Sequence, residues 1–234
     1  MRRLGAPSFE WFIAGNQAVM LCDLGRYSEA EELAREILGP QRAVCGTDGT
    51  VNAALPLSQV LVRTGRYEEA LQLLDEILPL ARQVGGTELL EPILIAQAEL
   101  EEGRGNLAAA RQSLSEASRL VLATPAVAHW FRTVVPAARL MTRREAEDVL
   151  ERVRRYATHP GFRARVVEAE ATLARDPDRF RKAAEQYGEL ELPYPEARCR
   201  LECGDLERAR EIVDKLGLQD GPLGARLREL SGAA

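Results

Sequence analysis

Aromatic residues make up only 5% of this chain of 234 residues, and histidine occurs twice. His129 and His159 have no Cys, Asp or Ser beside them in a triad-like setting, so nucleophilic catalysis has little to work with. The motifs GxxxxGK[ST], GxGxxG and HExxH do not occur, and neither a phosphate cradle nor a zincin site is indicated. Four cysteines, Cys22, Cys45, Cys199 and Cys203, show no CxxC spacing. Cys22 and Cys199 fall in helical patterns as small apolar residues, and four unpaired thiols suit a reducing cytoplasm. Cys199 and Cys203 share one helix face, but without further ligands they read as packing residues at a repeat junction rather than as metal ligands.

Long apolar runs are missing as well. Nothing after Met1-Arg2-Arg3 has signal-peptide length, and no run approaches a membrane span, so the chain reads as cytoplasmic. Alternating Val, Ile and Thr are scarce, which removes strands. Positive charge is not in excess: the net charge is −5 and the pI about 5.4. Arginines are interleaved with acids, as between Glu145 and Arg155, and such a solvated face does not suit nucleic-acid binding by this chain alone.

What remains is Ala, Leu, Glu and Arg, the strong helix formers, arranged with a period. Gly25-Arg26-Tyr27-Ser28-Glu29-Ala30 returns 40 residues later as Gly65-Arg66-Tyr67-Glu68-Glu69-Ala70, and more loosely as Gly105-Asn106-Leu107-Ala108-Ala109-Ala110. A fixed period of this size marks a solenoid whose units bury their apolar faces only by stacking. Each unit is a pair of antiparallel helices, A then B. In the first, helix A spans about 8–24 and helix B 27–38; Gly25 ends helix A, and Pro40 is expected to close the unit. Ala30 and Ala70 are small because the two helices approach closely there. The second helix A either starts late, with Pro56 in its first turn, or is kinked. The third pair is expected over 87–102 and 107–122.

Beyond this the period loosens. A helix over 126–140 contains Pro136, and Thr142-Arg143-Arg144-Glu145 is a capping box opening the next B helix. Further pairs are expected over 160–175 with 178–190, and over 195–202 with 206–216. A short helix within 220–231 is expected to cap the open end of the stack.

The Gly-x-Tyr-x-x-Ala core resembles the tetratricopeptide repeat, though with a longer period and with Ala14, Gln17 and Ala18 in place of the family's Trp and Leu-Gly. The resemblance implies an all-α, tetratricopeptide-like, right-handed helical-repeat solenoid of about six helix pairs. It forms a single domain over 1–234, with better-matched repeats over 8–122 and degenerate ones over 126–216. The stretches Phe12 to Ala30 and Asp176 to Cys199 look like the C-terminal repeat arm of large LuxR-type ATP-binding regulators and multidomain nucleotide cyclases. That likeness implies a non-enzymatic protein-interaction or sensor module in bacterial signalling or transcriptional regulation. Two alternatives are a detached piece of such a regulator and a small-molecule sensor binding within the superhelix.

The same resemblance puts Phe12, Asn16, Val19 and Asp23, then Asn52, Gln59 and Arg63, then Ile95, Glu99 and Glu102 on the concave side. The polar members, Asn16, Asp23, Asn52, Gln59, Arg63, Glu99 and Glu102, are candidates for reading a bound protein or peptide. Of these, Asn16, Asn52, Gln59, Arg63 and Glu99 are expected to tolerate substitution within about 0.5 kcal/mol. Trp130 and Phe131 are expected in the inter-repeat core. No cofactor is implied.

Overall fold

The computed structural model describes residues 7–124 and 127–232. They form thirteen helices, with no strand among the described residues. Six antiparallel pairs follow one another: α1 (Pro7–Asp23) with α2 (Tyr27–Val44), α3 (Gly46–Arg63) with α4 (Tyr67–Val84), and α5 (Thr87–Gly103) with α6 (Leu107–Ala123). Then come α7 (Val127–Leu140) with α8 (Arg143–Arg154), α9 (Pro160–Ala174) with α10 (Pro177–Glu189), and α11 (Pro193–Glu202) with α12 (Leu206–Leu216). A single helix, α13 (Pro222–Leu230), ends the array. This is the all-α tetratricopeptide-like solenoid that the resemblance implies. The expected fourth-unit start at Ala126 lies outside the described residues.

The turns repeat because their hydrogen bonds do. Gly25, Gly65 and Gly105 have φ of +74°, +81° and +79°, left-handed values that cost a side chain bearing a Cβ. Each is followed by a backbone N–H bonded five residues back: Arg26 to Leu21 at 2.9 Å, Arg66 to Leu61 at 2.8 Å, Asn106 to Glu101 at 2.8 Å. Asp176 makes the same bond to Ala171, at 3.0 Å, but there the left-handed residue is Arg175 with φ +52°. The capping box at Thr142 and Glu145 forms as expected. Trp130 and Phe131 are buried; Phe131 stacks on Phe162 with ring centroids 3.9 Å apart.

The structure decides two readings that turn on proline. Pro40 does not close the first unit, because α2 runs on through it to Val44. The lost hydrogen bond falls on the carbonyl of Glu36, an exposed residue whose backbone water can serve. Of the two readings of Pro56 the late start is excluded, since α3 already begins at Gly46 and carries the proline in its interior. Pro79, Pro92 and Pro136 also lie inside helices.

A further correction concerns the end of the stack. Helix α13 does not cap an open end. Leu223 and Leu227 of α13, Ile212 and Val213 of α12 and Ala197 and Leu201 of α11 pack in one cluster with Leu21, Cys22, Tyr27, Ala30 and Val60 of the first units. The array therefore curves until its last units meet its first. The backbones touch at this seam: a Cβ on Gly65 would lie 2.1 Å from the Asp220 carbonyl oxygen, and one on Gly221 2.0 Å from that of Arg63. A Gly221→Ala variant must push α13 off α3. We expect it to lose about 1–3 kcal/mol and amide-exchange protection in α11 to α13. Gly39→Ala, in open space within α2, should be neutral or stabilising by up to about 1 kcal/mol. Equal stability of the two variants would show that the seam does not hold the array.

Candidate partner-binding cavity

Because the array closes, its concave side is a cavity of about 790 Å³. Its wall is built mainly from the A helices in order: α1, α3 and α5 contribute most of it, α7 adds Arg132 and α9 adds Arg165, while Gln41 of α2 and Cys45 just beyond it complete it. Stacking at a constant period places equivalent residues side by side. Phe12, Asn52, Pro92 and Arg132 follow at 40-residue intervals, as do Val19, Gln59 and Glu99, and all of them line the cavity. Asp48 and Glu88 form a further row near the helix N-termini, where the backbone dipole favours carboxylates.

Six of the seven polar candidates, Asn16, Asp23, Asn52, Gln59, Arg63 and Glu99, face this cavity, with Phe12, Val19 and Ile95 between them. Glu102 is not part of the wall; it pairs closely with Arg139 of α7. Sequence reasoning missed Asp48, Glu88, Arg132 and Arg165. The first three carry the 40-residue spacing and were legible by extending the rows. Arg165 carries no such signal, because the period has broken before α9.

The polar wall is incompletely satisfied from within. Asn52 Nδ2, Gln59 Oε1 and the Nε atoms of Arg63 and Arg132 are buried without a partner. Asp48, Glu88, Glu99 and Arg165 make no ion pair among the described residues. Three prolines add to this. Pro56, Pro92 and Pro136 lack the N–H that would serve the carbonyls of Asn52, Glu88 and Arg132 four residues earlier, and those three residues all line the cavity.

Arg63 has a different role from its neighbours. Its side chain is only 13% exposed and lies 3.5 Å from Asp23 Oδ1. Its Nη1 donates to the Cys22 carbonyl at 3.1 Å. The guanidinium sits 4.7 Å from the ring centroid of Tyr194, on α11 across the seam, and Arg198 approaches the same ring at 5.9 Å. Burial, reinforced by Glu99, pushes the Tyr194 phenol up to about 12. Burial likewise lifts the Cys22 thiol to about 11, against the opposing pull of Arg63, so that thiol stays protonated and unreactive at neutral pH. Burial also holds the Cys199 thiol well above its ordinary value.

Arg63 was expected to tolerate substitution; its contacts say otherwise. Arg63→Ala should cost about 2–4 kcal/mol, the sum of a lost buried hydrogen-bonded charge and a cation–π contact, read as a shift in the denaturation midpoint. A loss below about 0.5 kcal/mol would return it to the solvated class.

Behind the wall lies Glu168 of α9, whose carboxylate accepts from Arg198 Nε at 2.6 Å and from the Tyr187 hydroxyl at 2.7 Å. Burial opposes its ionisation, but the Arg198 charge and these two hydrogen bonds outweigh it, and the carboxyl titrates below its usual range. A depressed folded-state value means the stabilisation is complete above the unfolded value of about 4.3 and disappears as pH falls through the lower folded one. Glu168→Gln should cost about 3–5 kcal/mol at neutral pH by stranding Arg198. It should also flatten the loss of stability below about pH 4; an unchanged acid limb in denaturation against pH would contradict this.

A second buried knot joins α5 to α7. His129 Nδ1 lies 2.9 Å from Glu91 Oε2, and Thr133 Oγ1 donates to Glu91 Oε1 at 3.1 Å. Arg132 Nη2 is 2.7 Å from the same imidazole nitrogen. That nitrogen either donates to Glu91 or accepts from Arg132, according to its tautomer. The sequence showed no acid beside His129, because Glu91 belongs to the preceding unit.

Stacked helix pairs around a concave polar wall define a helical-repeat solenoid. The tetratricopeptide repeat family model matches residues 12–83 and, overlapping, 49–123. The matches support a tetratricopeptide-repeat protein. No curated protein matches the chain.

Proposed function

We propose that the chain is a non-enzymatic interaction module whose concave cavity receives a segment of a partner protein. One observation carries this reading: the cavity gathers polar groups from five successive A helices and leaves buried atoms of Asn52, Gln59, Arg63 and Arg132 without a partner. Buried polar atoms without partners cost free energy, about 1–3 kcal/mol each, that a bound segment would recover. Extended concave surfaces of this kind are the binding surfaces of solenoids.

The resemblance of Phe12 to Ala30 and of Asp176 to Cys199 to regulator arms supports reading the module as one of bacterial signalling or transcriptional regulation in the cytoplasm, either alone or as a piece of a larger regulator. No described helix is long and apolar enough to cross a membrane. A second reading, a small-molecule sensor, draws on the cavity volume of about 790 Å³, which falls in the range of about 300–1,000 Å³ usual for small ligands.

The test combines Glu88→Lys with Arg165→Glu, which reverse two unpaired charges on the wall. A partner captured by the wild-type chain should bind this variant at least about tenfold more weakly, as expected for lost charge-assisted contacts. Its stability should stay within about 0.5 kcal/mol. Unchanged affinity would move the binding surface elsewhere. A thermal shift with small metabolites, cancelled by the same variant, would favour the sensor.

A further inference from the structure

The repeats allow each face of α1 to be compared with the same face of α3 and α5. Ile13 corresponds at 40-residue steps to Ala53 and Ile93, and Met20 to Val60 and Leu100. All four later residues are completely buried, whereas Ile13 is 50% and Met20 65% exposed. Gln17, between them and also exposed, corresponds to Leu57 and Gln97, which are buried and half-buried. What separates α1 from α3 and α5 is the preceding unit, which α1 lacks among the described residues. The stripe Ile13, Gln17, Met20 is thus a stacking face of repeat type, left uncovered.

A second observation identifies what would cover it. On the convex side, arginines of one B helix reach glutamates of the next. Arg42 of α2 pairs closely with Glu76 of α4, and Arg82 of α4 pairs with Glu116 of α6 at 2.7 Å. Glu36 of α2 stands 40 residues before Glu76, is exposed, and makes no ion pair among the described residues. The B helices that cover α3 and α5 also share one buried stripe: Ala30, Ala34 and Ile37 in α2, and Ala70, Leu74 and Ile77 in α4.

We infer that the outer face of α1 docks one amphipathic helix of another helical-repeat polypeptide. That helix carries an alanine, aliphatic residues four and seven positions on, and an arginine twelve positions on that meets Glu36. A second copy of this chain does not qualify, because its own stripes are already buried in its stack. The inference is independent of the cavity: Ile13, Gln17 and Met20 do not line it.

The probe is a synthetic peptide of residues 67–84, which has this pattern, titrated into the full chain by fluorescence anisotropy with amide exchange in parallel. Because an isolated helix of this length is only marginally formed, the same helix is also presented tethered, by joining residues 46–86 ahead of Pro7. Saturable binding, or protection in the tethered form, should fall on residues 10–24. Met20→Glu, at an exposed site, should weaken it at least about tenfold. Glu36→Arg should weaken it about threefold, and Arg82→Glu in the peptide should restore it. The cavity variant Glu88→Lys, Arg165→Glu should leave it unchanged. Absence of α1 protection in both formats overturns the inference, and so does binding indifferent to Met20→Glu. Self-association of the chain that Met20→Glu abolishes would overturn it in favour of a second copy.

Discussion

The ring of Tyr194 lies between two guanidiniums, Arg63 at 4.7 Å and Arg198 at 5.9 Å. Arg63 belongs to the second unit and is tied to Cys22 and Asp23 of the first; Arg198 belongs to the sixth and is tied to Glu168 of the fifth. This short polar chain, with the apolar cluster beside it, joins the two ends of the array. Solenoids are ordinarily quasi-one-dimensional, each repeat touching only its neighbours. Here the first and last pairs are neighbours too, so fraying from an end must first break the seam.

Closure also decides what the concave face becomes. Outside, Arg and Glu neutralise one another from one B helix to the next, in exposed pairs that each contribute little. Inside, the equivalent positions on the A helices carry charges and amides with few internal partners. An open groove would leave these to water. In a cavity bounded by five A helices they are partly desolvated, and each is worth more to an occupant that satisfies it.

Much of this was legible in the sequence, and the failures have physical reasons. Two Gly-x-Tyr-x-x-Ala turns and the looser Gly105 to Ala110 located three units because glycine is the residue that enters the left-handed turn without strain. The turn persists after α9 with Arg175 in the same conformation, so the backbone keeps a geometry that the residue no longer announces. Six of seven concave residues were found because stacking preserves register. Glu102 failed because an arginine on α7 reaches it, and Arg63 was misjudged because its partner Tyr194 lies 131 positions away in the chain. Long-range closure has no periodic signature. Proline misled in the other direction: at Pro40 one missing hydrogen bond was too small a loss to end a helix held by tertiary packing.

The internal prolines have an effect that concerns how such a wall can be mapped at all. The carbonyls of Asn52, Glu88 and Arg132 are backbone atoms, present whatever side chain stands there, and Pro56, Pro92 and Pro136 deprive them of their helical donor. Truncating a side chain to alanine leaves such an oxygen in place. These three acceptors are therefore invisible to an alanine scan of the lining, and are controlled by three residues that an ordinary scan would class as structural.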